Sequence, residues 1–506
     1  MQDKGSANLA IFAAVMDNFT IRLENGIVAN PEYRLAEPVN ICMKNGQQIA
    51  ICGPNGAGKT LLVNILLRQY PLLDKRETEY GSGIHGGDIR YISFRDSYGS
   101  ADSTYFYQQR WNMTEMGESP VAGDAFPFVA SQEWKDSLFR LFDLSLIWDK
   151  QLVTLSSGEM RKCQLARSLA VKPRIVIIDS PFIGLDRETR DMLCSLLKEL
   201  IGKWNMQIIL IVSRPEDIPD FITHVIEVRD RICRPMTDKA SFLTGFKADS
   251  PTLSAEAIQL MHSLPESDMD SDEIVRCNQV VLQYGSRRIL DHLDWTIGKG
   301  EHWALLGRNG SGKSALLSLI YADNPQSYAC DISLFGRARG TGESIWEIKR
   351  HIGYVSPEMH RSYSRHYPAI DIVASGLHDS VGLYQKITNE ERESCRVWLQ
   401  IFGVSHLENR DFYYLSSGEQ RMILLARAFV KNPSLIILDE PLHGLDTANR
   451  SLVMQIIKAF CEQPQKTMII VTHYPEELPD TIDHQLKLTR TGDRGDYLHT
   501  GLIVRP

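Results

Sequence analysis

The sequence predicts a doubled α/β fold, and three observations carry that expectation. An octet of the form GxxxxGK[ST] occurs twice, as GPNGAGKT at 53–60 and GRNGSGKS at 307–314. Each octet follows a short apolar run (QQIAIC, EHWALL) and precedes a leucine-rich one (LLVNILLRQY, ALLSLIYA), the strand–loop–helix order of an alternating fold. Whole phrases also recur at a fixed distance: DSPFIGLD starts at 179 and DEPLHGLD at 439, an offset of 439 − 179 = 260 residues. LSSGEMRKCQLARSLAVKP (155–173) and LSSGEQRMILLARAFVKNP (415–433) keep that offset, as do RPEDIPD (214–220) and YPEELPD (474–480). The chain is a duplication.

The 506 residues, 43% of them apolar, suffice for two independently cored domains. The expected division is a first domain at 1–245, a linker at 246–273 and a second domain at 274–506. The linker reading rests on KADSPTLSAEAIQLMHSLPESDMDSDEI, a polar and acidic stretch rich in Ser, Pro and Asp. Between octet and LSSGE, WKDSLFRLFDLSLIW and SCRVWLQIFGVSHL have helical apolar spacing. Fifty-five Lys+Arg against 63 Asp+Glu give a net charge of −8, which argues against a strongly basic nucleic-acid binder. The nine cysteines include no CxxC pair, so no disulfide framework or zinc cluster is expected, and a reducing cytoplasm fits. No signal peptide is read at the N-terminus, and no window holds the 18 apolar residues of a membrane span. A pore, if the protein serves one, would come from another chain.

The octets point to phosphate chemistry. Gly53, Gly56 and Gly58, and Gly307, Gly310 and Gly312, let backbone N–H groups turn inward around phosphate oxygens, with Asn55 and Asn309 in the same loops. Lys59 and Lys313 would reach the β- and γ-phosphates of ATP, and Thr60 and Ser314 would hold Mg²⁺. Asp179 and Asp439 each end an apolar strand; behind such a loop, an aspartate there reads as a Mg²⁺ ligand more readily than as a turn cap. Glu440 follows in the second half, placed to orient or deprotonate an attacking water. Ser180 stands at that position in the first half. Ser156…Glu159 and Ser416…Glu419 have capping-box spacing and start helices on any reading.

Lysine loop, capped LSSGE helix and apolar strand ending in Asp, in that order, resemble the ATP-binding-cassette superfamily. Within it, residues 332–360 and 375–385 are similar to the ModF family of tandem cassettes, associated by name with molybdate transport and photorepair. The resemblance implies a P-loop NTPase fold in each half: a RecA-like core, an antiparallel β subdomain and a helical signature subdomain. It also implies a head-to-tail pseudo-dimer within one polypeptide, each ATP site taking the signature helix of the opposite half: Ser156, Ser157 and Gly158, or Ser416, Ser417 and Gly418. His473 resembles the switch histidine that contacts the γ-phosphate, and Asp186 and Asp446 the aspartates facing the opposite half. Tyr284 resembles the aromatic that stacks adenine; in the first half Asn30 aligns there, with Tyr33 nearby. A membrane permease as partner and a place on the inner face of the plasma membrane follow from the family. The rival families are an ABC-F-type ribosome factor, which would need a long charged linker, and a DNA-repair cassette.

The departures are the informative part. The family's glutamine after the strand IGYVS is replaced by Pro357, with Glu358 beside it, and by Phe94 in the first half. Ser213 stands where the switch histidine belongs in the first half. The expectation is therefore asymmetric: a first site that holds MgATP and cuts slowly, and a second that turns over.

Overall fold

The computed structural model describes residues 19–73, 77–93, 121–126, 129–151, 155, 157–247, 251–264, 271–284, 287–308, 310–357, 359–363, 366–491 and 496–504. Ser156, Asn309, Phe94 and Glu358 of the sequence reading lie outside them, as does the side chain of Ser157. The described residues divide into two compact units, 19–247 in the first and 251–504 in the second.

In the first unit, β1 (Phe19–Gly26), β2 (Val39–Lys44) and β4 (Glu79–Tyr80) form an antiparallel sheet in the order β2-β1-β4. The strict alternation of buried and exposed residues along β2 marks a sheet with one wet face. The main sheet runs β10-β8-β3-β7-β6-β5, from β3 (Ile49–Cys52), β5 (Ile89–Ser93), β6 (Ile175–Asp179), β7 (Gln207–Val212), β8 (His224–Arg229) and β10 (Thr237–Asp238), with β9 (Ile232–Cys233) paired to β8. Its central strands are parallel. IAIC, IVIID and QIILIV are buried at every position because helices cover both faces.

The second unit repeats the plan. β11 (Glu273–Tyr284), β12 (Arg287–Gly298), β14 (Asp331–Leu334) and β15 (Arg337–Ala338) make the sheet β12-β11-β14-β15. β13 (His302–Gly307), β16 (Ile352–Val355), β17 (Leu435–Asp439), β18 (Thr467–Val471), β19 (His484–Thr491) and β20 (Asp496–Val504) make the sheet β16-β17-β18-β13-β19-β20. The strand and helix expected around each octet are present: β3 and α1 (Lys59–Leu66), then β13 and α5 (Lys313–Ile320). The LSSGE phrases open α2 (Ser157–Leu169) and α7 (Ser417–Phe429); α3 (Arg187–Trp204), α6 (Asn389–Ile401) and α8 (Thr447–Cys461) complete the cover.

The polar stretch read as a linker is partly helical. It contains α4 (Ala255–Ser263), capped by the Ser254 side chain, which accepts the Ala257 N–H. Met261 on this helix is fully buried, and Leu253 beside it is buried too. The second unit grips the segment with Gln455, whose Oε1 accepts the Leu253 N–H at 2.8 Å and whose Nε2 donates to the Pro251 carbonyl at 2.8 Å. Asn432 Nδ2 donates to the Leu264 carbonyl at 3.2 Å. Composition alone hid a few apolar residues whose spacing builds one buried face.

Candidate nucleotide sites

In both units the C-terminal ends of parallel strands converge, the usual ligand edge of an α/β sheet. β3 and β13 feed the octets, β6 and β17 end in Asp179 and Asp439, and β7 and β18 lead to Ser213 and His473. The octets turn into α1 and α5 through Gly58 and Gly312, at φ +99° and +93°, a backbone conformation that an L side chain would resist. Each lysine is buried and folds back over its loop. Lys59 Nζ donates to the carbonyls of Gly53 and Pro54, both at 2.6 Å, and Lys313 Nζ to those of Gly307 and Arg308, at 2.7 and 2.9 Å. Gly56 and Gly310 also have positive φ, so the two loops share one shape.

A buried carboxylate, a hydroxyl residue at the second position of the helix and an inward lysine are the donor set for a divalent cation on a phosphate chain. These residues fit MgATP in both units. Among the described residues no group of three or more His, Cys, Asp or Glu side chains is placed to hold a metal ion by itself.

The units part company at the next residue. Ser180 and Glu440 both sit in the left-handed region, at φ +54° and +50°. Both also hand their N–H to the neighbouring strand, to Ile211 at 3.0 Å and Val471 at 2.9 Å. In the second unit Glu440 Oε1 lies 2.8 Å from His473 Nε2, and its Oε2 lies 3.7 Å from His443 Nδ1. Burial alone would raise the Glu440 pKa. The His473 hydrogen bond and the positive fields of His443, His473 and Lys313 win, and hold it down at about 2. In the first unit Ser180 Oγ turns onto Asp179 Oδ1 at 2.8 Å, while Tyr91 OH donates to Asp179 Oδ2 at 2.9 Å. Ser213 Oγ reaches Asn55 Oδ1 of the octet at 2.9 Å. The counterpart of His443 is Ile183.

Sequence reasoning missed His443 and also Arg421. Arg421 is buried and donates to four main-chain carbonyls: Asp439 (2.8 Å), Glu440 (2.6 Å), Pro441 (3.3 Å) and Ser356 (3.2 Å). Burial pulls its pKa down to about 10 against the attraction of Asp439 and Glu440. Arg161, its counterpart, donates to the Ile183 carbonyl. The signal was an arginine at the same place in both LSSGE phrases.

Elsewhere the expected residues fall as follows. Ser416 caps α7 in a complete capping box with Glu419, and Ser417 and Gly418 form the first turn. Asp186 and Asp446 cap α3 and α8, accepting the N–H groups of Thr189 and Asn449. Pro357 follows Ser356, the residue that Arg421 holds. Tyr284 is half-buried and accepts a hydrogen bond from Asn324 Nδ2 at 2.8 Å. Tyr33 is stacked on Tyr70, ring centroids 4.8 Å apart, and Asn30 caps the short turn before it by accepting the Glu32 N–H.

Two units with this octet, this capped helix and this Asp-ended strand define the class: the chain belongs to the ATP-binding family of ABC transporters. A sequence profile described as "ABC transporter" matches it twice, at residues 36–183 and 290–443. Among individual proteins it is similar to the ABC transporter ATP-binding protein ModF of Escherichia coli K12, 33% identical over 482 residues that cover 91% of this chain and 95% of that protein. It is 28% identical over 493 residues to an uncharacterized ABC transporter ATP-binding protein, C323.04, of Schizosaccharomyces pombe, covering 92% of this chain and 97% of that one. In fold it is similar to a chain of the structure described as "Model of ribosome-bound archaeal Pelota and ABCE1", with TM-score 0.58, 16% identity, and coverage of 91% of this chain and 75% of that chain. Membership brings ATP-binding domains whose family activity is ATP hydrolysis. No helix among the described residues is long and apolar enough to cross a membrane.

Proposed function

We propose that the protein is a tandem ABC ATPase that binds two MgATP and hydrolyses ATP mainly at the site built on the second unit. The observation that carries this is the Glu440–His473 contact with His443 beside it, against Ser180, Ser213 and Ile183 in the first unit. Lys59 or Lys313 would leave its loop carbonyls for the phosphates. Thr60 with Asp179, or Ser314 with Asp439, would hold Mg²⁺, which supplies charge neutralisation on the transferring phosphoryl group. Glu440, ionised and gripped by His473, orients the attacking water; a carboxylate so acidic positions a nucleophile better than it takes its proton. In the first unit hydroxyls occupy the same places, so nucleotide is held without a water-aligning carboxylate.

Each site is proposed to be completed by the signature helix of the other half: Ser416 and Gly418 for the first, Ser156 and Gly158 for the second. The process served is read as transport-linked, on the ModF likeness, with a permease supplied by another chain; the cargo is not assigned. Glu440→Gln is expected to cut ATP turnover by about 10²–10⁴-fold while leaving nucleotide binding intact, and Ser180→Ala to change turnover little. Equal losses from the two would overturn the asymmetric reading. Affinity capture of the full chain from native membranes tests the transport role. Co-sedimentation with ribosomes and no membrane partner would replace that role with a translational one.

A further inference from the structure

His473 sits between two residues that one hydroxyl holds together. Thr472 Oγ1 accepts the Tyr474 N–H at 3.1 Å and donates to Glu477 Oε2 at 2.8 Å. Glu477 closes the loop from its own side, its N–H donating to the Tyr474 carbonyl at 2.9 Å. Its other oxygen, Oε1, accepts from Arg450 Nη2 at 2.6 Å, and Arg450 is the fourth residue of α8. Thr472 is 2% exposed, and the side chains of Arg450 and Glu477 are largely buried. A path of three hydrogen-bonded side chains thus runs from α8 to the residue after β18, and His473 comes next. A satisfied buried network of this kind rigidifies what it touches, here the loop that carries the imidazole. His473 Nε2 stands 2.8 Å from Glu440 Oε1, and a loop displaced by about 1 Å would break that hydrogen bond.

The first unit has the loop without this path. By the offset of 260 residues, Arg190, Asp217 and Val212 stand at the places of Arg450, Glu477 and Thr472. The ion pair is kept: Arg190 Nη1 donates to Asp217 Oδ1 at 2.8 Å. The acid is one methylene shorter, and Arg214 takes both of its oxygens, at 2.8 Å each. Val212 has no hydroxyl with which to bond it. Ser213, in the place of the histidine, turns to Asn55 instead. The hydroxyl link therefore accompanies the histidine, whereas the pair that joins helix to loop is present in both units.

We propose that Thr472, Glu477 and Arg450 are positioning residues for ATP hydrolysis at the second site and hold His473 against Glu440; this rests on the reading that the second site is the one that turns over. Thr472 acts through the histidine, which grips the carboxylate that orients the attacking water. Cutting the path misplaces that carboxylate without removing a group that binds nucleotide. Turnover then falls while the KM for ATP does not change.

The test is steady-state and single-turnover ATPase kinetics of the full-length protein, with thermal unfolding to show that each variant is folded at the assay temperature. Thr472→Val, which gives the second unit the residue of the first, is expected to lower kcat about tenfold with KM within about twofold. Glu477→Ala, which removes the acceptor, is expected to do the same. Thr472→Ser keeps the hydroxyl and is expected to hold kcat within about twofold of the unsubstituted protein. Added to His473→Ala, Thr472→Val is expected to lower the single-turnover rate by less than about twofold, because the histidine it serves is gone. An unchanged kcat in folded Thr472→Val and Glu477→Ala, or a further loss of about tenfold on top of His473→Ala, overturns this inference and leaves the assignment of hydrolysis to the second site standing. Full turnover in Glu440→Gln overturns both.

Discussion

The turns after Asp179 and Asp439 share a backbone and differ in almost every side chain that could act on water. Ser180 and Glu440 have nearly the same φ and the same main-chain hydrogen bond, yet one hydroxyl is turned onto its aspartate and the other residue is a carboxylate gripped by a histidine. The strained turn therefore does not depend on the glutamate for its shape. What differs is the chemistry placed on it, and it differs three times over, at Ser180, Ser213 and Ile183. A single substitution could be drift; three, at the counterparts of Glu440, His473 and His443, are the basis of the proposed asymmetry.

Substitutions can break or sharpen that comparison. After Glu440→Gln, the largest effect is expected from His473→Ala, which should lower ATP turnover by about 10²-fold by freeing the Glu440 carboxylate, whereas Ser213→Ala should leave turnover unchanged. Steady-state ATPase assays decide it, and a comparable loss from Ser213→Ala would break the contrast. Next comes Arg421→Met, which strands buried carbonyls and should destabilise the second unit by about 3 kcal/mol in urea unfolding; Arg161→Met should cost about 1 kcal/mol.

Acid should expose the same difference. Glu440 has a folded pKa of about 2, below its ordinary 4.5, so its ionised form stabilises the native state above pH 4.5. Between about pH 4.5 and 2 the unfolded chain binds the proton first, and the contribution fades as pH falls. The stability advantage of the native protein over Glu440→Gln, measured by denaturant titration, should accordingly shrink across that window. The smallest effect belongs to Tyr91→Phe, which removes one hydroxyl from Asp179 and should cost about 1 kcal/mol, read as a modest fall in Tm.

Much of this architecture was legible in the sequence, because a phosphate loop needs glycines and a lysine at fixed spacing and a buried parallel strand needs an unbroken apolar run. Glu440 and His473, brought to 2.8 Å, were both nameable from their places at strand ends. His443 was not, since a histidine three residues after a glutamate has no signature of its own until the turn bends it inward. Arg421 was hidden for a related reason: an arginine on a helix usually points to solvent, and only the packed turn shows it speared through the core. The helix at Ala255–Ser263 was lost to its acidic neighbours, because composition averages over a segment while burial depends on which side of the helix each apolar residue occupies.

Arg421 leaves from the first turns of the signature helix and ends on the carbonyls of the very turn that aims Glu440. Helix and turn are thereby made one mechanical piece, a crank with its pivot in the core. A tilt of the helix would have to break these hydrogen bonds or carry the turn with it, and by reciprocity whatever seats the carboxylate would resist the tilt. In the second unit a single side chain thus spans the distance from the LSSGE helix to the turn that carries the carboxylate.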